Sequence, residues 1–292
     1  MNLDNVKVSV CMITYGHEKY IAQAIEGILM QEVDFDYELI IANDRSPDNT
    51  DEVVNSYLNN HPKGSKIKYF SHQKNIGANR NFLFSVENAT GEYIALCEGD
   101  DYWTDPLKLQ KQVDFLEKNQ KYVLCGHYID KLNFKGEIQK NMNLESLSFT
   151  QSEMYDIHIP TLSAVFRNKL KNTIPEEFLI SPTGDFLLWT YLGSFGDYYL
   201  MNSSMAVYRE HIGGVWSGIS AINKIKNSIV TRTLALKFVK DKKETLLFNS
   251  RICRGGINES LKQLDFKNLF FFTKLYANYL FKIINYNKMR KN

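Results

Sequence analysis

Residues 91–103, GEYIALCEGDDYW, are the most informative stretch for the fold. They contain a buried strand that is followed directly by a dense group of acids. Tyr93–Cys97 is an apolar run of strand length, and Glu98, Asp100 and Asp101 follow within four positions. Crowded carboxylates disfavour one another's ionised forms, so such a group usually needs a cation. Mg²⁺ and Mn²⁺ join carboxylates to substrate phosphates in this way. An acidic turn that caps the next helix is the alternative.

Strands and helices alternate on the N-terminal side of this stretch. Apolar, β-branched runs predict strands at 6–14, 37–42, 67–71 and 92–97. Helical spacing predicts helices at 19–30, 51–59 and 79–88. The alternation predicts an α/β fold, in which a Rossmann-like, mostly parallel sheet is flanked by helices. After the acids we expect a helix at 106–119, strands at 122–128 and 162–167, and an irregular loop at 130–157 over the site.

Polar residues stand at the carboxyl ends of the first, second and fourth strands. They are Thr14, Asp44 and the acidic group, and ligands of open α/β sheets bind beyond such ends. Asp44 alone could be a helix N-cap, but together these ends predict a nucleotide pocket, where helix N-termini favour a diphosphate. No GxGxxG or GxxxxGK loop is present, so we expect a metal to balance the phosphate charge.

The charge of the 292-residue chain is unevenly distributed. Residues 221–292 contain 16 Lys and Arg against 4 Asp and Glu, whereas residues 1–220 contain 19 against 29. This asymmetry predicts two surfaces with different partners. The four cysteines lie far apart without metal spacing, and we expect them to be reduced. With no signal peptide and no apolar run of membrane-spanning length, we expect a cytoplasmic protein.

Four blocks in register resemble family 2 glycosyltransferases of the GT-A fold. They are residues 8–31 (VSVCMITYGHEKYIAQAIEGILMQ), 38–50 (ELIIANDRSPDNT), 75–82 (NIGANRNF) and 91–103. The resemblance implies a nucleotide-sugar donor, usually a UDP-sugar, and Mn²⁺ or Mg²⁺ held by a DXD-type motif.

The resemblance also implies roles for individual residues. Thr14 and Tyr15 would border the nucleobase, Asp44 would bind it, and Arg80 would lie near the nucleotide. Asp100 matches the metal-binding aspartate. Glu98 stands where the family commonly has Asp, which leaves its metal role open. Further nucleotide-sugar contacts are implied at Asn75, Gly77, Glu98, Gly99 and Asp101.

Asp185, in the stretch SPTGDFLLW at 181–189, precedes an apolar helical run. As a helix N-cap it would need no function. The family resemblance implies instead a catalytic base, although Gly184 replaces the usual preceding acid. Such a carboxylate takes the proton of an acceptor hydroxyl during direct displacement with inversion.

The stretch VYREHIGGVWS at 207–217 resembles the YRxHxGGxxS block of many bacterial family 2 enzymes. Arg209 would then balance diphosphate charge, and His211 would be a metal ligand. A His211 that only hydrogen-bonds its loop is the alternative.

The composition changes at residue 219, so we predict a GT-A domain at 1–218 and a basic helical extension at 219–292, interrupted at 254–256. Aromatic residues and lysines at 266–292 favour docking on an anionic membrane surface. We therefore expect a peripheral association with the inner face of the cell membrane. Docking on the catalytic domain or on a second subunit, as an oligomer, is the alternative. No nucleic-acid-binding module is present, so we expect no nucleic-acid partner.

The sequence therefore predicts a metal-dependent, inverting glycosyltransferase that acts on a glycan or lipid-linked acceptor in surface-polysaccharide synthesis. A domain that binds a nucleotide sugar or glycan without turnover is one alternative. The other is a sugar nucleotidyltransferase, although residues 10–17 lack the Gly-rich loop usual in that class.

Overall fold

A computed structural model describes residues 6–142, 145–171, 174–211, 213–214 and 218–289. The chain divides into two units. The first contains the chain up to Phe149 together with Ile159–Pro175 and Gly196–His211. The second contains Thr150–His158, Glu176–Phe195 and the chain from Ile212 onward. The domain division predicted at residues 218 and 219 stays a prediction.

A mixed sheet forms the centre of the first unit. Its described strands are β1 (Val8–Thr14), β2 (Tyr37–Asn43), β3 (Ile67–Ser71), β4 (Tyr93–Leu96), β5 (Tyr102–Trp103), β6 (Tyr122–Leu132), β7 (Ile138–Gln139), β8 (Leu147–Phe149), β9 (Val165–Arg167) and β10 (Asp197–Arg209). Their order is β3-β2-β1-β4-β9-β6-β10-β5, with β7 beside β6 and β8 beside β10.

The parallel half of the sheet confirms the predicted alternation of strands and helices. β1 pairs in parallel with β2 and β4, and β2 with β3. The helices of this unit are α1 (Ile21–Leu29), α2 (Thr50–Asn60), α3 (Ala78–Glu87) and α4 (Lys108–Lys118). The apolar residues that recur at helical spacing on α1 and α4 are buried, namely Ile21, Ala24, Ile25, Ile28, Leu109, Val113 and Leu116. They join the side chains of β1 and β2 in one apolar core.

The other half of the sheet departs from the prediction. β9 runs antiparallel to both β4 and β6, whereas β10 runs parallel to β6 and antiparallel to β5. The irregular loop predicted at 130–157 is wrong in part, because β6 continues to Leu132 and the short strands β7 and β8 follow. These segments are strands because a neighbouring strand satisfies their backbone groups, which local composition does not reveal.

The helices of the second unit are α5 (Glu177–Ile180), α6 (Gly184–Leu192), α7 (Ala221–Ala235), α8 (Lys242–Lys262) and α9 (Phe266–Met289). The interruption predicted at 254–256 is wrong, since α8 continues through both glycines. Gly256 is buried against the ring of Phe272 on α9, and an added Cβ would lie 2.7 Å from that ring. This glycine permits the close approach of two helices, which offsets its weak helix propensity.

The structure also bears on the cysteines and on the apolar length of the helices. The four cysteines are free and buried. None of the described helices combines the length and apolar composition needed to cross a bilayer.

Candidate functional site

The acidic turn lies beside the carboxyl end of β1. The Gly99 N–H donates to the Ile13 carbonyl over 3.0 Å, and the Asp44 N–H donates to the Thr14 carbonyl over 2.9 Å. Since β1, β2 and β4 are parallel, their ends share one edge of the sheet. The structure therefore brings Thr14, Asp44 and the acidic turn together.

Asp44 braces the loop before α3. It is 3% exposed, and its two carboxylate oxygens accept the N–H groups of Ile76 (2.7 Å) and Gly77 (2.9 Å). Asn75 Oδ1 also accepts the Gly77 N–H, over 3.1 Å. Gly77 has a φ of 87°, a conformation that favours glycine. Asp44, Asn75 and Gly77 thus form one hydrogen-bonded loop, and Arg80 is exposed in the first turn of the helix that follows.

The turn after β1 is held by the turn after β2. The N–H groups of Gly16, His17 and Glu18 donate to side-chain oxygens of Ser46, Thr50 and Asp48, each over 3.0 Å. These bonds fix the backbone that carries Tyr15 and His17.

Tyr15 and Thr14 differ in exposure. Tyr15 is half exposed at the edge of the sheet, whereas Thr14 is 2% exposed. The Thr14 hydroxyl lies 3.2 Å from His17 Nδ1. The nucleobase contacts predicted for this pair stay a prediction, and the buried hydroxyl of Thr14 orients an imidazole.

The two aspartates of the acidic turn occupy different environments. His211 Nε2 lies 3.0 Å from Asp100 Oδ2. Burial alone would raise the pKa of Asp100, but the His211 hydrogen bond and the nearby His17 hold that pKa below its usual value. Asp101 is 3% exposed, and burial, with repulsion from Asp100, raises its pKa well above the usual range. Asp100 is therefore the carboxylate suited to a cation.

Arg209, at the end of β10, holds the acidic turn in place. Its backbone N–H donates to Asp101 Oδ1 and its side-chain Nε–H donates to the Asp100 carbonyl, both over 2.9 Å. Its Nη2 donates to Gln23 Oε1 over 2.7 Å. The guanidinium lies over the rings of Tyr20 and Tyr102, at 4.8 and 5.2 Å from their centroids. A fixed positive charge beside the acidic turn suits an anionic ligand.

His17, Asp100 and His211 form a donor set that fits a divalent ion. One donor atom of each lies within 4.8 Å of the others, and all three residues are half-buried. Burial lowers the pKa of His17, which favours the neutral imidazole that a metal requires. Two imidazoles and a carboxylate match ions such as Mn²⁺ and Zn²⁺.

Sequence reasoning identified two of these three donors and missed His17. The signal lay in its position three residues after Thr14, at the end of the first strand. Glu98 and Asp101 lie in the acidic turn but outside the donor set. The Asp101 N–H donates to the Glu98 carbonyl over 3.1 Å, which closes the turn.

Asp185 lies on α6 in the second unit. The N-cap position predicted for Asp185 is wrong, because Thr183 is the N-cap of α6 and Asp185 lies in its first turn. Its Oδ1 accepts the Phe186 N–H over 2.7 Å, and its side chain is half-buried. Thr183 is held by a contact of 2.8 Å between its hydroxyl and that of Thr231 on α7. The role of catalytic base stays a prediction.

The block at 207–217 is described only in part. Arg209, His211, Gly213 and Gly214 are described, whereas Ile212 and the end of the block at 215–217 lie outside the described residues. The end of the stretch at 266–292, residues 290–292, lies outside them as well.

Residues 9–173 match the family described as Glycosyl transferase family 2. An uncharacterized protein of Mycobacterium tuberculosis (strain ATCC 25618 / H37Rv) is 35% identical over 215 residues, which cover 72% of this chain and 60% of that protein. The match thus extends over only part of the relative's length.

Two solved structures share the fold. That of S. aureus TarS 1-349 in complex with UDP-GlcNAc has a TM-score of 0.66 and 18% identity, covering 85% of this chain and 71% of that one. The mannosyltransferase PcManGT from Pyrobaculum calidifontis, in complex with GDP-Man and Mn²⁺, has a TM-score of 0.59 and 14% identity, covering 99% and 88%. The predicted GT-A fold is confirmed by these likenesses. Because the family match takes in more than half of the sequence, including the acidic turn, the chain belongs to glycosyl transferase family 2.

Proposed function

We propose that this chain is a metal-dependent, inverting glycosyltransferase that moves a sugar from a UDP-sugar to an acceptor hydroxyl. The observation that carries the proposal is that Arg209 and His211, at the end of β10, both contact Asp100 in the acidic turn after β4. A diphosphate needs positive charge at that edge, and these residues offer a cation site and a fixed guanidinium. The complex of TarS with UDP-GlcNAc supports the choice of donor.

The nucleoside would lie along the carboxyl ends of β1 and β2. Tyr15 offers an exposed ring for the base, and Asp44 has lone pairs left on oxygens that already accept two N–H groups. Asn75, Gly77 and Arg80 follow on the loop and helix that Asp44 braces. Glu98, Gly99 and Asp101 would contact the donor from the acidic turn.

Asp100 and His211 would hold Mn²⁺ or Mg²⁺. Bound there, the ion would neutralise the charge that builds on the departing nucleoside diphosphate. Arg209 would add a second positive charge whose position its contacts with Gln23 and Tyr20 already fix. A preorganised charge needs no reorganisation during the reaction, which is why such groups accelerate it.

Asp185 would take the proton of the acceptor hydroxyl as that oxygen attacks the anomeric carbon. Its carboxylate lies in the first turn of α6 and is half-buried. An ionised carboxylate can accept a proton, and general bases of this kind contribute about 10²–10⁴-fold to a rate.

We further propose that α9 docks on an anionic membrane, where a lipid-linked acceptor for surface-polysaccharide synthesis would lie. One side of α9 exposes large apolar side chains, while the opposite side is buried on α8. The exposed side carries Phe266, Phe270, Leu280, Phe281 and Ile284, and the buried side carries Phe272, Tyr279 and Ile283. With 16 basic against 4 acidic residues at 221–292, this exposed face of α9 suits an anionic bilayer surface. A second subunit on the same face is the alternative.

A panel of UDP-, GDP- and dTDP-sugars tests the proposed activity. The release of nucleoside diphosphate is measured with Mn²⁺ and with EDTA. We expect release from a UDP-sugar that requires the metal and is lost in Asp100→Asn. Binding of a nucleotide sugar without any release would support the binding-domain alternative, and equal release with EDTA would overturn the metal dependence.

A further inference from the structure

His17 and His211 approach the same oxygen of Asp100. His211 Nε2 lies 3.0 Å from Oδ2, and His17 Nε2 lies 3.7 Å from it. The two rings meet edge to face, with centroids 6.1 Å apart. The 3.7 Å separation is within ion-pair distance but too long for a hydrogen bond. Two imidazoles therefore face one carboxylate oxygen, and only His211 reaches it at hydrogen-bond distance. This arrangement fits an ion coordinated by all three side chains.

Thr14 orients the His17 ring from the opposite side. Its hydroxyl lies 3.2 Å from Nδ1, and a ring that donates Nδ1–H to this oxygen presents the lone pair of Nε2 towards Asp100. Metal-binding histidines commonly have their second nitrogen held in this way. Since Thr14 is nearly inaccessible, this contact is protected from solvent.

The backbone of His17 is fixed as well. Its N–H donates to Thr50 Oγ1, and its carbonyl accepts the N–H groups of Tyr20 and Ile21, each over 2.9 Å, at the start of α1. A ligand on so constrained a turn is placed before the metal arrives. Preorganisation of this kind lowers the cost of binding.

Gly99 makes room for this imidazole. A Cβ built on Gly99 would lie 2.8 Å from Thr14 Oγ1 and 3.0 Å from His17 Nδ1. Any side chain at position 99 would therefore displace the pair of side chains that aims Nε2 at Asp100. The glycine of the acidic turn and the histidine of the first turn form one unit.

We propose that His17 is the third protein ligand of the metal and that the resulting pair of imidazoles makes the site prefer Mn²⁺ to Mg²⁺. Imidazole suits transition metals, whereas Mg²⁺ prefers oxygen ligands and keeps several waters. The inference rests on the proposed function in one respect, namely that the ion would neutralise the diphosphate of the sugar donor. Metal binding itself is measured without any donor.

Electron paramagnetic resonance of Mn²⁺ bound to the full chain provides the test. We expect electron spin echo modulation from two imidazole nitrogens in the wild type and from one in His17→Gln. The affinity for Mn²⁺ in His17→Gln should fall at least about tenfold, as it does when a metal-site partner is removed. His61→Gln, a half-buried histidine at the end of α2, is the matched control and should bind as the wild type does.

A second variant separates loss of a ligand from loss of the fold. Thr14→Val keeps both imidazoles but removes the hydroxyl, so we expect two nitrogens with a weaker affinity. Two nitrogens and an unchanged affinity in His17→Gln would overturn the inference, as would a wild type that binds Mg²⁺ as tightly as Mn²⁺. If Mn²⁺ binds through His17 but no nucleotide sugar is turned over, the proposed function fails and this inference stands.

Discussion

His211 Nε2 lies 3.0 Å from Asp100 Oδ2, although 111 residues separate the two in the chain. The contact joins the turn after β4 to the end of β10. In the proposed function, a diphosphate and its metal are held at this point.

Replacing Asp100 with Asn should lower kcat/KM for the UDP-sugar by at least about a hundredfold, because the only charged ligand of the donor set is lost. The two side chains are nearly isosteric, so the unfolding temperature should change little. Steady-state kinetics with Mn²⁺ measures the effect. Asp114→Asn, on the exposed side of α4, is the control. A variant at position 100 that retains a third of the wild-type activity would contradict the assignment.

Arg209→Lys should lower kcat/KM about tenfold or more, since one charged hydrogen bond is worth about 1.5–3 kcal/mol. Lysine cannot reproduce the bonds to the Asp100 carbonyl and Gln23 together with the stacking on Tyr20. The backbone bond to Asp101 should persist, so the fold is kept. Gln23→Ala removes one of these bonds and should have a smaller effect. Equal effects of the two variants would mean that Arg209 acts only through Gln23.

Asp185→Asn should lower kcat about a hundredfold or more while donor binding, measured by calorimetry, stays unchanged. The amide keeps an oxygen that can accept the Phe186 N–H, so α6 should keep its first turn. The control is Glu176→Gln, an exposed acid at the start of α5. Retained turnover in Asp185→Asn would remove this residue from the role of base.

Lys108 should make the free energy of unfolding rise with pH. Its side chain is fully buried, with Nζ 2.9 Å from Gln112 Oε1 and 3.9 Å from the Trp103 ring centroid, and burial lowers its pKa to about 7. Above pH 7 the unfolded chain keeps a proton that the folded chain has lost. The unfolded state therefore binds more protons, so stability rises by at most about 1.4 kcal/mol per pH unit until the unfolded lysine titrates near pH 10.

Urea unfolding of the wild type and of Lys108→Met at pH 7, 8 and 9 measures this contribution. The difference between the two chains isolates Lys108 from the tyrosines and cysteines that titrate at higher pH. Lys118→Met, whose side chain is 76% exposed, is the control and should leave the pH dependence intact. A parallel pH dependence in wild type and Lys108→Met would show that Lys108 stays charged when buried.

The double variant Phe270→Asn/Phe281→Asn should weaken binding to phosphatidylglycerol vesicles more than about tenfold, because each buried phenylalanine contributes roughly 1.5–3 kcal/mol. Both rings lie on the exposed face of α9, so the packing of Phe272 and Tyr279 is kept, which a deletion of 266–292 would destroy. Phe195→Asn is the control for exposed phenylalanines. Unchanged binding in vesicle flotation would contradict membrane docking. If the double variant instead dissociates a dimer, a second subunit binds this face.

The sequence predicts the parallel half of the sheet because β1, β2 and β4 are buried on both faces and therefore read as apolar runs. It does not predict all of β10, since DYYLMNSSMAVYR mixes polar and apolar residues and becomes a strand through pairing with β6, β5 and β8. The break expected at Gly255 and Gly256 failed for a related reason. Adjacent glycines predict a break in a helix, whereas at Gly256 the close contact with Phe272 requires a glycine inside one.

The residues of the site also differ in how visible they are in the sequence. Asp100 could be found because acids after a buried strand stand out in one stretch of sequence. His17 is harder to find, because its position after the first strand is a weak signal and its role depends on Thr14, Gly99 and Asp100 in space.

The late position of β10 in the chain has a consequence for biosynthesis. Strands β1–β4 and the acidic turn emerge from the ribosome well before Arg209 and His211, whose long-range pairing is the slow kind to form. A nascent or truncated polypeptide that ends short of β10 lacks Arg209 and His211. Premature products of this gene would therefore lack two of the residues on which the proposed transfer depends.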